Sequence, residues 1–163
     1  MNNLDSVIII LYAVIVVFFI YRIIKQVKEK NSLEGQVKAF KRPLSSFELI
    51  LFSILLVTGG VNLYYGINQA NMQNILTATV MILLAIVFLI ASRAKVYVGE
   101  NGILSNSKFS TFKEIRKWGF DPESGDLVML IKDKKGENRE STKVRKEDIE
   151  EINTLIRRYK LGK

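Results

Sequence analysis

Apolar residues fall along this chain in three long runs and then, in its second half, in short alternating ones. The first run, Val7 to Ile24, would measure roughly 27 Å as a helix, with Arg22 close enough to its end to snorkel toward water. After Glu48 no Asp, Glu, Lys or Arg occurs until Arg93. Read as one helix, that stretch would be roughly 66 Å long, about twice the ~30 Å of a bilayer's hydrocarbon core. It therefore predicts two spans folded back on each other, with the amide-rich segment from Gly66 to Asn74 as the reversal. The expected spans are about 7–24, 47–66 and 75–92, joined by loops at 25–46 and 67–74.

From Arg93 onward the pattern changes to that of a small sheet closed by a helix. Lys95-Val96-Tyr97-Val98 reads as a strand, Glu100-Asn101-Gly102 as a tight turn, and Ile103-Leu104-Ser105 as the return strand. Phe109, Phe112 and Ile115 fall three apart, out of step with the alternation of one strand, and Trp118 and Phe120 alternate into a turn cluster at Asp121–Asp126. Leu127 to Lys132 is a continuous apolar run expected as a central strand, followed by a turn at Asp133-Lys134-Lys135-Gly136 and a polar strand. A final helix is expected from about Lys146 to Lys160, with Ile149, Ile152, Leu155, Ile156 and Tyr159 on one face, acids at its start and bases at its end. The expected core is Phe109, Phe112, Ile115, Trp118, Leu127, Leu130, Ile149, Ile152 and Ile156. The fold class is thus an integral membrane protein with three transmembrane α-helices in residues 1–92, plus a cytoplasmic α+β domain over 93–163 with an antiparallel sheet of about five strands capped by a C-terminal helix.

Charge supplies the orientation. Arg22, Lys25, Lys28, Lys30, Lys38, Lys41 and Arg42 crowd the first loop, the 67–74 loop carries no charge, and Arg93 and Lys95 follow the third span. Loops rich in Lys and Arg stay cytoplasmic. The N-terminus is expected outside and the domain inside, in the cell (plasma) membrane. No cleavable signal peptide is expected, because only Asp5 precedes the first run and its basic residues follow it. Two readings of the first loop stand side by side: a connector whose charges set topology, or a short interfacial helix burying Leu33, Val37 and Phe40. Lys38, Lys41, Arg42, Arg93 and Lys95 are candidate contacts for anionic lipid.

Histidine and cysteine are both absent, which removes the commonest general base, the thiol nucleophile and the usual zinc ligands. No carboxylate spacing suggests a metal loop, and no Gly-rich loop could cradle phosphate. Enzyme activity and cofactors are not expected. A net charge of +8 raises the question of nucleic acid, yet the topology explains much of the excess and the aromatics read as core, so no nucleic-acid partner is expected. Within the spans Asn62 is the unusual residue. With Gly59 and Gly60 it marks a candidate helix-packing face. Glu48, following Ser45 and Ser46, reads as a first-turn acid near a helix cap.

The order of Tyr97-Val98-Gly99-Glu100-Asn101-Gly102-Ile103, then Phe112-Lys113-Glu114-Ile115 with Trp118, then Leu127–Lys132, then Lys146–Ile152, resembles small bacterial three-span membrane proteins with a cytoplasmic domain of unknown function. That domain is in turn similar to bacterial pleckstrin-homology-like modules. The resemblance implies a helix-capped sheet that binds or scaffolds, with no catalytic residue to carry over; residues 93–163 look too short for the seven strands of a full pleckstrin-homology domain. The leading expectation is a non-enzymatic accessory, scaffolding or regulatory subunit, in contact with the bilayer and with another membrane protein or itself. The alternatives are a membrane-protective, immunity-type protein against membrane-active peptides, or an oligomeric channel or transporter lined by Asn62 and Thr58. The lack of ionisable residues between 49 and 92 counts against the last of these.

Overall fold

The computed structural model describes residues 3–133 and 136–162. The chain divides into two compact units, Met1–Ile23 with Leu44–Ser92, and Ile24–Pro43 with Arg93–Lys163.

Among the described residues three helices are long and apolar enough to cross a membrane. They are α1 (Asn3–Lys30), α2 (Ser46–Asn68) and α3 (Met72–Ser92). α2 begins with a capping box: Ser45 Oγ accepts from the Glu48 amide at 3.2 Å and the Glu48 carboxylate accepts from the Ser45 amide at 2.8 Å. That geometry suits the first-turn role expected of Glu48. The reversal is tighter than the expected 67–74 loop, because α2 continues to Asn68 and Asn71 opens α3, its Oδ1 accepting the amides of Gln73 at 3.0 Å and Asn74 at 3.3 Å. The amide-rich stretch therefore supplies the next helix's cap as well as the turn. α2 and α3 approach closely at two glycines: a Cβ on Gly59 would lie 3.0 Å from Ile82 Cγ1, and one on Gly66 would lie 2.8 Å from the Ile75 nitrogen.

The second unit holds more strands than expected. Its first sheet runs in the order β1 (Lys38–Lys41), β2 (Lys95–Val98), β3 (Gly102–Ser105), β4 (Lys108–Thr111), all antiparallel. Its second runs β5 (Ile115–Phe120), β6 (Leu127–Asp133), β7 (Gly136–Thr142), also antiparallel. The single sheet of about five strands is thus corrected to two sheets of four and three strands. One additional strand is β1, outside residues 93–163, which lies in the segment expected as a connector or an interfacial helix. Phe40 points inward opposite Val96 while Lys38, Ala39 and Lys41 are exposed, so this is a strand with one buried residue. The register pairs Lys41 with Lys95, which brings together the two chain ends leading into α2 and out of α3. The helical hairpin is therefore inserted in the connection between β1 and β2. Lys134 and Lys135 of the expected turn lie outside the described residues.

A 3-10 turn (Lys146–Asp148) leads into α4 (Ile149–Leu161), whose Ile152 and Ile156 enter the core. The core comprises Phe40, Val96, Val98, Ile103, Phe112, Ile115, Leu127, Met129, Ile131, Val144, Ile152 and Ile156. Trp118 and Ile149 pack against it half-buried. Two expected core residues do not belong to it. β6 alternates strictly, so Leu127, Met129 and Ile131 face inward and Leu130 faces the other side of the sheet. Phe109 pairs with Leu104 on the face of the first sheet opposite Ile103. The three-residue spacing of Phe109, Phe112 and Ile115 departs from a strand's alternation because β4 ends at Thr111 and β5 starts at Ile115.

Candidate functional site

The turn between β2 and β3 is a clamp. Asn101 Oδ1 accepts from the Glu34 amide at 3.1 Å, and Asn101 Nδ2 donates to the Ser32 carbonyl at 2.8 Å. Glu100 Oε1 accepts from the Gln36 amide at 3.0 Å, and the Glu100 amide donates to the Glu34 carbonyl at 3.1 Å. Gly35 adopts φ +70°, a left-handed conformation that favours glycine, and the Glu100 carboxyl group packs where a Cβ would stand. Gly102 admits no Cβ either, since one would overlap the Ser110 carbonyl oxygen on β4. The segment leaving α1 is in this way tied to the first hairpin by both side chains of the Glu100-Asn101 pair.

α4 is latched at its far end. Lys160 Nζ donates to the carbonyl of Phe112 at 2.7 Å and to that of Ile115, and lies 5.9 Å from the Trp118 ring centroid. Burial, and then the positive charge of Arg116, lower its pKa from the ordinary lysine value. Trp118 Nε1 donates to Asn153 Oδ1 on the same helix at 3.1 Å.

Two grooves flank this framework. One, of about 700 Å³, runs between the start of β1 and α4, with Val37, Leu155 and Tyr159 as its apolar part. Its acids are largely engaged, Glu151 with Lys38 and Glu147 with Arg145, which also bonds Asp148 Oδ2 at 2.8 Å. The Asp148 bond raises the Arg145 pKa still further. The other groove, of about 340 Å³, lies on the outer face of the second sheet and includes Lys117, Gly119, Phe120, Val128, Leu130 and Arg139. At its rim Asp121 accepts the amides of Ser124 at 2.9 Å and Glu123 at 3.0 Å, which hold its pKa below the usual aspartate value. Among the described residues no three His, Cys, Asp or Glu side chains are grouped to hold a metal ion.

The candidate packing residues separate on α2. Gly59 is buried against α3 and Asn62 is half-buried, its Nδ2 lying 3.8 Å from Met81 Sδ, whereas Gly60 has nothing within 4 Å of a built Cβ. Ser53, Thr58 and Thr79 return their hydroxyls to carbonyls of their own helices. Of the candidate lipid contacts, Lys41, Arg93 and Lys95 are exposed, Arg42 is half-buried, and Lys38 is exposed but paired with Glu151. Sequence reasoning missed Glu100 and Asn101 as anything more than turn residues. Their signal was the residue choice itself, since a primed turn needs no glutamate in that place.

A family model described as a domain of unknown function, DUF5673, matches residues 94–161. The match spans β2 to the end of α4 and leaves out β1. No curated protein and no solved structure matches the chain.

Proposed function

We propose that this chain is an accessory or scaffolding subunit of a membrane protein complex, non-enzymatic, which joins its partner through the helices and presents the second unit in the cytoplasm. The carrying observation is Asn62. It stands in an apolar helix where neighbouring hydroxyls satisfy themselves locally, yet its amide meets only a thioether, a weak acceptor, among the described residues. An amide in hydrocarbon gains most from a helix that offers a stronger partner. α1 supports the same reading, because none of its candidate span is buried within this chain.

The orientation with the N-terminus outside the plasma membrane draws support from the basic residues of Ile24–Pro43 and from the pairing of Lys41 with Lys95, which puts both hairpin ends on one side. A pleckstrin-homology-like architecture for the second unit is supported by its four-stranded and three-stranded sheets with a C-terminal helix. The exposed Lys41, Arg93 and Lys95 suit contact with anionic lipid. Extraction in mild detergent tests the main reading: a second membrane protein, or a second copy of this chain, co-purifies with the native protein and is lost from Asn62→Leu. A clean monomeric preparation of the native chain sinks it.

A further inference from the structure

The outer face of the second sheet is not covered by α4, which packs on the inner face with Met129 and Ile131. Strand register places Gly119, Val128 and Ser141 in one row across that face, and Lys117, Leu130 and Arg139 in the next. At its centre Gly119 leaves a hollow: a Cβ built there meets nothing within 4 Å. The half-buried side chains of Val128 and Leu130 form the apolar floor, and the exposed Lys117 and Arg139 stand on either side of Leu130. Asp121, in the same lining, accepts the amides of Glu123 and Ser124 with its Oδ1 and offsets part of the Arg139 charge, which with Lys117 leaves the hollow net positive. In the following row Lys132 stands opposite Glu137 and adds no net charge.

We propose that this hollow is a docking site for a short acidic segment of a partner protein, with one apolar side chain seated over Gly119 and flanking carboxylates on Lys117 and Arg139. Charge complementarity selects the acidic partner. The shape selects a protein segment over a lipid surface. A bilayer takes up side chains that protrude, whereas here the apolar groups are half-buried around a position with no side chain, a form suited to an inserted anchor. Lys117 and Arg139 stand on β5 and β7, the two strands that flank β6, so their backbone positions are held at a fixed spacing across Leu130.

This rests on the reading of the chain as a subunit, and the experiment separates the two. The full chain is expressed in its own membranes with Ser141→p-benzoylphenylalanine, at the exposed β7 end of the Gly119 row, irradiated, and the adducts mapped by mass spectrometry. The expected result is crosslinking to an acidic segment bearing an apolar residue in one protein, reduced about tenfold or more by Lys117→Glu with Arg139→Glu. As a second variant, Gly119→Leu fills the hollow and lowers crosslinking from Ser141→p-benzoylphenylalanine to a similar extent. Adducts to lipid, to a second copy of this chain or to scattered non-acidic segments overturn the proposal, as does crosslinking that survives charge reversal or is absent. A preparation that still co-purifies with its membrane partner while the Ser141 probe captures nothing overturns this site alone.

Discussion

Asn101 holds the chain as it leaves α1, donating from Nδ2 to the Ser32 carbonyl at 2.8 Å while its Oδ1 takes the Glu34 amide at 3.1 Å. The backbone at 32–36 makes no ladder of its own, so these side-chain bonds and those of Glu100 replace one. A residue of the first hairpin thereby positions the start of β1, to which it is distant in sequence.

Removing that amide tests the clamp. Asn101→Ala is expected to cost about 1–3 kcal/mol, because two backbone groups lose their partners. Hydrogen exchange at Glu34 should accelerate while exchange in β6 is little changed. Unchanged protection at Glu34 would show that the clamp does not order this segment.

Gly102 is a steric requirement. In Gly102→Ala the new methyl meets backbone on β4, which a rotamer change cannot relieve. A loss of about 2–4 kcal/mol is expected. Thermal unfolding in detergent, followed through Trp118, the chain's single tryptophan, measures it. Gly119→Ala, with open space at its Cβ, serves as the control and should move the midpoint far less.

Asp121 predicts a pH dependence. Its folded pKa is depressed by the Ser124 and Glu123 amides, so its contribution is present above the ordinary aspartate value of 3.8 and is lost as pH falls through the lower folded value. Asp121→Asn removes that term. The stability difference between native chain and variant should be constant near neutral pH and shrink only below about pH 4. A difference that stays constant down to pH 2 would contradict the assignment.

The proposed orientation is open to labelling, since the chain has no cysteine of its own. Asn71→Cys should react with an impermeant maleimide in intact cells, and Ser124→Cys only after permeabilisation. Labelling of Ser124→Cys in intact cells reverses the topology.

Much of the second unit was legible because local pattern and tertiary environment agree there. Val96 and Val98 alternate inward, Ile152 and Ile156 fall one turn apart on α4, and Leu127–Lys132 forms the middle strand of its sheet. Leu130 was misread because a wholly apolar run carries no alternation; only the pairing of β6 with β5 and β7 shows which residues face inward. The hollow at Gly119 was not legible either, since its lining comes from strands separated in sequence.

By itself the sequence determined the three long helices, their breaks and the change of character near Ser92, because an absence of charge over such a length and the capping chemistry of Ser45 and Asn71 are local properties. Only the tertiary structure decided that Lys38–Lys41 is a strand and that the helical hairpin interrupts a sheet. Those four residues bury one side chain, Phe40, and have too little pattern to declare themselves; their strand form comes from pairing with β2, on the far side of α2 and α3 in the chain. Hydrogen bonding between segments so widely separated in sequence leaves no periodic trace in either one.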